Sequence, residues 1–332
     1  MTEVLQQMPG CVEALKVQRA DGAAFEVVAK HYVLAAGGLE TPRLLLASRA
    51  LAPNGLGNAH DVVGRYHMEH PIRSVGVVSL TRRARGISDF TEIRAHQTVR
   101  GQATLGLPTV ARRANGLLDL HARAYRFHPL ERDAVVMSAK ALLGVGQPPP
   151  GDRHLSLRQV FAGSGKVIRY GAWHYRQKLW PKRMPSHLRL LAFVEQEPDP
   201  DNRITLSRQK DRFGTPLPHL THNESAKMRR SIDKTMELID HRFRQSGIGT
   251  IDYAPETLDD LKHHNGYGLH PMGSTRMSAD PQTGVVDANL KVHGIANLHI
   301  VGSSVFPTGG AANPTLSIVA LALRLARHLS TL

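Results

Sequence analysis

Apolar and polar positions alternate through Val12, Ala14, Leu15 and Val17, break at Asp21-Gly22, and resume at Phe25, Val27 and Val28. Alternation on both sides of an Asp-Gly dipeptide predicts a β-hairpin. A mostly apolar run from His31 to Ala36 ends at Gly37-Gly38 and predicts a third strand. Thr41-Pro42 then opens a leucine-rich stretch to Ser48, which predicts a helix with threonine as its N-cap and proline at its first position.

Between residues 81 and 180 no period is sustained, and arginine-, glycine- and proline-rich pieces, among them Pro148-Pro149-Pro150, leave the stretch unassigned. Periodicity returns in RLLAFVEQ (189–196), RITLS (203–207) and PLPHLTH (216–222), separated by the turn-rich PDPDN and by Asp211 to Gly214, a pattern that predicts a strand meander. Asn223 is the expected cap of a following helix in which Met228, Ile232, Met236, Ile239 and Phe243 recur at helical spacing up to Gly247. That helix is expected to cover one face of the sheet.

The C-terminal block carries GLHPMGSTRM (268–277), then VVDANLKVHG (285–294), then NLHIVGSSVFPTGGAANPTLSIVALALRLARHL (297–329). It reads as a loop bearing His270, a short hairpin, a strand running into Gly302-Ser303-Ser304, a second glycine-rich loop, and a helix opened by Asn313-Pro314. A strand feeding a glycine-rich loop and a helix start aims backbone amides at a carbonyl-rich or anionic ligand. The helix is apolar almost all round from Leu316 to Leu323, so its first turn is expected to be buried.

Composition narrows the class. The 332 residues are 41% hydrophobic and 21% charged, enough for a packed core and too ordinary for a disordered tail or a collagen. The single cysteine, Cys11, excludes an internal disulfide and any CxxC motif. No apolar run approaches the roughly 20 residues that span a bilayer. No internal repeat occurs, and no secretory leader is read in the first 20 residues.

Lysine and arginine number 42 against 28 acidic residues, a net charge of +14, and ten of the arginines fall between Arg82 and Arg132. Such an excess suits nucleic acid, an anionic membrane surface or a phosphate-bearing ligand. It equally suits a solvated face or an interface with an acidic partner. With aromatic residues at 5%, no stacking platform for nucleic acid is read, and no nucleic-acid partner is expected.

His67 and His70 lie three apart in VGRYHMEHP (63–71), and His263-His264 are adjacent, yet neither pair has carboxylate or cysteine partners at ligand spacing. No metal site is expected. Arg276 and Asp287 are read as fixing the loop that carries His270.

Taken in order along the chain, these segments resemble the glucose-methanol-choline (GMC) family of FAD-dependent oxidoreductases. The C-terminal block is similar to that family's signature region, and YVLAAGGLETPRLLLAS (32–48) to its internal flavin-binding strand and helix. VGRYHMEHP and EQEPDPDNRITLS (195–207) resemble further family segments. In that family an alcohol gives a hydride to flavin N5 while a histidine takes the hydroxyl proton. The resemblance implies FAD as cofactor, His270 as the catalytic histidine, and Asn313 as its partner at a position occupied by His or Asn. It also implies that Ala35, Ala36, Gly37, Gly302, Ser303, Asn313, Pro314 and Thr315 line the cofactor, with the amides after Pro314 near the flavin pyrimidine. A plain N-cap is the other reading of Asn313.

Two departures from the family pattern stand out. No GxGxxG occurs, since GLGNAH (55–60) lacks the third glycine, and GSGK (163–166) lacks the first glycine of a P-loop. The chain is therefore expected to begin part-way through the family architecture, either truncated or completed by a second chain, with an apolar edge exposed and solubility reduced. Gly302 stands where many members carry aspartate, which together with Asn313 tilts the resemblance toward sugar oxidation.

The expected fold is α/β. Residues 1–80 and 251–332 would form an incomplete, Rossmann-like FAD-binding part, and residues 81–250 an antiparallel-sheet substrate domain. The expected partners are an alcohol or sugar and an electron acceptor of unread identity, with a cytoplasmic or, given a leader outside this sequence, a periplasmic location. The alternative is a flavoprotein remnant or subunit without catalysis.

Overall fold

The computed structural model describes residues 2–81, 84, 94–96, 99–145, 155–180, 185–253 and 270–332. Pro148-Pro149-Pro150 and His263-His264 lie outside these residues.

Strands β1 (Glu3–Leu5), β2 (Ala14–Gln18) and β3 (Ala24–Val27) form a three-stranded antiparallel sheet. The hairpin between β2 and β3 turns at Asp21-Gly22, as the sequence predicts. Asp21 accepts the Ala23 N–H at 3.1 Å, and Gly22 takes the positive φ of 91°.

β4 (Tyr32–Leu34) runs directly into α1 (Gly37–Ala47), which starts five residues earlier than expected. Gly37, at φ 80°, turns the chain from strand to helix, and Ala36 occupies the N-cap position. Thr41 is consequently the fifth helical residue rather than the cap, and its hydroxyl is buried without a partner. Pro42 lies inside the helix. It is tolerated because the carbonyl it orphans, that of Gly38, accepts the Ser274 hydroxyl at 2.6 Å.

The middle of the chain builds a five-stranded antiparallel sheet. After β5 (Ile72–Leu80) come a small hairpin of β6 (Arg94–His96) and β7 (Val99–Gly101), then β8 (Leu105–Gly106), α2 (Thr109–Asn115) and β9 (Leu120–Phe127). Helices α3 (Ala134–Leu142), α4 (Leu157–Ala162) and α5 (Ser164–Leu179) pack on one another before β10 (His187–Val194). β11 (Arg203–Lys210) and β12 (Pro216–Thr221) precede α6 (Ala226–Gln245) and β13 (Gly249–Asp252). The sheet order is β13-β5-β10-β9-β8.

The expected meander is only partly formed. β11 and β12 pair with each other in a separate two-stranded sheet, while β10 pairs with β5 and β9. β10 carries Leu188, Leu190, Ala192 and Val194, all buried, and needs a strand on each side; PDPDN takes the chain out of that sheet.

One face of the five-stranded sheet is covered by α6, whose Met228, Ile232, Met236, Ile239 and Phe243 are all buried against Leu120, Ala122, Leu190 and their neighbours. The helix N-cap is Ser225, which accepts the Met228 N–H at 3.0 Å, not Asn223. Asn223 is instead held by the Asn202 side chain, which bonds both its N–H (2.6 Å) and its carbonyl (3.0 Å).

β14 (Leu298–Ile300) pairs in parallel with β4, and α7 (Thr315–Leu329) closes the chain. Tyr32, Leu34, Leu45, Leu298, Ile300 and Leu325 share a second core. α7 meets that core along Leu321, Leu325 and Leu329, while Leu316 is 83% exposed and Val319 and Leu323 are at least half exposed. The expectation of a buried first turn is thus corrected. A helix that is apolar on two sides touches the body with one, and the stripe of Leu316, Val319 and Leu323 is left outside. Pro314, rather than Asn313, sits at its N-cap.

Candidate active site

The parallel pairing of Leu34 with Ile300 brings two glycine turns together at the carboxyl ends of β4 and β14. Ala35-Ala36-Gly37 leave one strand and Gly302-Ser303 the other, with Val301 N–H bonded to the Leu34 carbonyl at 3.0 Å. Gly37 (φ 80°) and Gly302 (φ 140°) both adopt conformations that favour glycine, and a Cβ built on either would meet nothing within 4 Å. The backbone is therefore open to close approach by a ligand on this edge, where open parallel sheets bind cofactors. Ala35 and Ala36 are exposed, as are Asn313 and Thr315 at the start of α7.

The loop bearing His270 is clamped onto these strand ends. Met272 and Met68 exchange both backbone hydrogen bonds, at 2.8 and 2.9 Å, and Gly64 N–H bonds the Ser274 carbonyl at 2.7 Å. The Ser303 hydroxyl donates to the Pro271 carbonyl at 2.7 Å, and Gly273 N–H to the Ser303 carbonyl at 3.1 Å. Gly38 of α1 lies so close that a Cβ there would sit 2.6 Å from the Pro271 carbonyl carbon. Gly309 packs on the same bridge, 3.2 Å from the Met272 methyl to its own Cβ position.

His270 Nδ1 lies 2.7 Å from Nε2 of His70, with the two rings stacked at 4.7 Å. Its backbone N–H donates to the Glu69 carboxylate at 3.0 Å. Burial, followed by the neighbouring His270, His121 and Arg123, lowers the His70 pKa to about 4, so this ring is neutral near pH 7. Burial raises Glu69, and the His270 N–H partly offsets that rise.

A wall faces this histidine pair. In an antiparallel ladder directly opposed residues share a face, and His121 opposes Phe193, Arg123 opposes Leu191, and Tyr125 opposes Arg189. This is the face that α6 leaves free. The Phe193 ring stacks on His121 at 5.0 Å and lies 5.8 Å from His70, and the Arg123 guanidinium sits 4.5 Å over it.

His270 is thus brought beside the strand ends that carry Ala35 to Gly37, Gly302 and Ser303. No hydrogen bond joins it to Asn313; its ring partner is His70. Glu69, His121, Arg123 and Phe193 are residues that sequence reasoning passed over, and His70 was weighed there only as a metal ligand. The alternation in LHARAYRF (120–127) was the signal for two of them, because it puts His121 and Arg123 on one face. His67 and His70, three apart in an extended segment, point to different partners: His67 packs edge-on against His222 at 5.7 Å. No group of three or more His, Cys, Asp or Glu side chains is placed to hold a metal among the described residues. Arg276 lies 4.2 Å over the Tyr66 ring and so does tie the His270 loop to residues 64–70, whereas Asp287 accepts the Asn289 and Lys291 N–H groups of its own turn.

Residues 198–322 match the GMC oxidoreductase family. The chain is 26% identical over 317 residues to the fructose dehydrogenase large subunit of Gluconobacter japonicus, covering 95% of this chain and 50% of that protein. It is 27% identical over 325 residues to the 2-methyl-1,2-propanediol dehydrogenase of Mycolicibacterium austroafricanum, covering 96% and 50%. The chain spans about half the length of these curated relatives. In fold it is similar to pyridoxine 4-oxidase from Mesorbium loti, with a TM-score of 0.56 at 18% identity over 100% of this chain and 57% of that one. It is also similar to a formate oxidase, with a TM-score of 0.53 at 21% identity over 98% and 59%.

Proposed function

From a chain whose residues 198–322 are a GMC oxidoreductase C-terminal domain, we propose an FAD-dependent oxidoreductase that acts on the CH–OH group of an alcohol or sugar, with His270 as the general base. The observation that carries this reading is the bond between His270 and a neutral, buried His70.

The residues on the strand edge fit the cofactor. Two glycines with open space at their Cβ positions, Gly37 and Gly302, flank a parallel strand pair. Ala35, Ala36, Ser303, Asn313, Pro314 and Thr315 would complete the cradle, and the first turn of α7 carries no side-chain cap, leaving its amides for carbonyl oxygens. When bound, FAD supplies the acceptor for the hydride that leaves the substrate carbon.

The chain's own part is proton handling. A histidine whose Nδ1–H is donated keeps its Nε2 lone pair for a substrate hydroxyl. A neutral His70 Nε2 is a suitable acceptor for that Nδ1–H, and the low pKa of His70 keeps it so at neutral pH. The Glu69 carboxylate, on the His270 backbone, holds the loop rather than the ring. On this reading residues 1–80 and 251–332 serve the cofactor, and the sheet roofs the pocket.

The test is anaerobic flavin absorbance of the purified chain with added FAD, against a panel of sugars and alcohols. Bleaching by one substrate, abolished in His270→Ala, supports the reading; flavin that binds and never bleaches overturns it. A second reading, a flavoprotein body completed by another chain, draws support from the exposed stripe of α7. Flavin retention only after a second polypeptide is added would favour it.

A further inference from the structure

We propose that the molecule handled at His270 carries an anionic group, a carboxylate or a phosphate, bound by Arg123, Arg189 and Arg132. The inference rests on His270 as the reacting end of the pocket and adds the chemistry of its other end.

Several arginines elsewhere in the molecule pair with carboxylates. Arg43 pairs with Glu40 and Asp211, Arg65 and Arg203 with Asp61, Arg112 with Asp119, and Arg244 with Asp240. On the sheet face turned toward His70 the arginines lack such partners. Arg123 and Arg189 project from adjacent strands on that face, and neither has a carboxylate partner among the described residues. The Nε atoms of both are buried without a hydrogen-bond acceptor. Arg132 folds over the same face: it donates to the hydroxyl of Ser74, which opposes Leu191, at 3.3 Å, and lies 5.9 Å from the Phe127 ring. Desolvation first, and then the Arg189 charge, lowers the Arg132 pKa, with Glu131 acting in the opposite sense.

Two half-buried guanidinium groups, Arg123 and Arg189, lie side by side on this face with no carboxylate partner among the described residues, and the exposed Arg132 adds a third positive charge at its edge, an arrangement that costs electrostatic energy. Glu69, whose carboxylate accepts the His270 N–H, does not relieve it, since burial favours its protonated form and its oxygen is already engaged. An anion would. Guanidinium groups also match carboxylate and phosphate oxygens in a forked geometry.

The spacing limits the ligand. Arg123 is two residues along β9 from His121, about 7 Å at ordinary strand rise, and its guanidinium lies over the Phe193 ring, which is itself 5.8 Å from His70. Arg189 lies one further step down the ladder, opposite Tyr125. Steps of 4.7 Å from the His270 ring to His70, 5.8 Å on to Phe193 and 4.5 Å on to the Arg123 guanidinium set the span that such a ligand bridges, one suited to a sugar acid or a sugar phosphate.

The experiment titrates the chain, with FAD added, by calorimetry with D-gluconate, D-glucose 6-phosphate and D-glucose. The expected result is that at least one anion binds at least tenfold more tightly than glucose, that Arg123→Met and Arg189→Met each remove that advantage, and that Arg123→Lys keeps part of it. Which anion wins identifies the carboxylate or the phosphate. Unchanged melting temperatures establish that the variants fold, and Arg189→Met carries the test if Arg123→Met does not. Anions binding no better than glucose, or an advantage that survives both substitutions, overturns the proposal. The two readings fail separately: flavin bleached by neutral alcohols without anion binding removes this one alone, and arginine-dependent anion binding without bleaching removes only the assignment of His270.

Discussion

The Ser274 hydroxyl donates at 2.6 Å to the Gly38 carbonyl, the one acceptor in α1 that Pro42 leaves without a helical N–H. Ser274 is fully buried, so no water substitutes for it. Ser274→Ala is expected to destabilise the chain by about 1–3 kcal/mol, the range for stranding a buried acceptor. In a Pro42→Ala background the backbone N–H restored at position 42 recovers the carbonyl, and the same serine substitution should then cost distinctly less. A double-mutant cycle from urea unfolding measures the difference; additive costs would show that the two residues do not share the carbonyl.

Gly38→Ala brings a methyl group against the Pro271 carbonyl, which is backbone and cannot rotate away. The expected loss is about 1–3 kcal/mol or more, as for other overpacked sites. Because Pro271 adjoins His270, the substitution should also move the histidine loop, visible as a changed His270 imidazole resonance. A stability unchanged within error would show that α1 and this loop pack less closely than described.

His70→Phe keeps the ring stack and removes the acceptor at 2.7 Å. Flavin bleaching is expected to fall about a hundredfold, the lower part of what a positioned base contributes. Its substrate KM should change little, since His70 holds His270 and not the substrate. His70→Gln, whose carbonyl oxygen accepts the same N–H, should recover part of the rate. Equal rates in His70→Phe and the parent chain would remove His70 from the mechanism.

Six histidines, at positions 67, 70, 121, 128, 222 and 299, have pKa values lowered in the folded chain, in each case by burial first. His67 and His70 fall to about 4. As pH drops below the ordinary histidine value of about 6.5, the unfolded chain binds protons that the folded chain refuses, so stability falls between about 6.5 and 4 and is fully present above it. Glu69, raised by burial, works in the opposite sense as a single group. Urea midpoints at pH 7.5, 6 and 5 should decline in that order, less steeply in His67→Phe. A midpoint flat across this range would show that the histidines are not held neutral.

What was legible in the sequence was local. The Asp21-Gly22 hairpin and the buried stripe of α6 follow from spacing alone, and the glycine turns after β4 and β14 from composition alone. What was lost was long-range or competed for. Thr41-Pro42 carries the signature of a helix start, but Gly37 had already turned the chain, and Ser274, far along the sequence, removed the penalty on Pro42. β10 takes its partners from residues 72–80 and 120–127, which no local turn announces. His70 and His270 are 200 residues apart, so their bond has no sequence signal beyond two separate histidines. For α7, an apolar surface on two sides cannot reveal which side the core will take.

The outer stripe of α7 has a colloidal consequence. With a net charge of +14, copies of the chain repel one another in dilute buffer. That repulsion reaches about 10 Å at 0.1 M salt and only about 3 Å at 1 M, whereas the attraction between bare Leu316, Val319 and Leu323 surfaces is not screened at all. Added salt therefore removes the barrier to self-association and leaves the adhesive. Light scattering should rise with ionic strength, and the low-salt solution is the one in which single molecules persist.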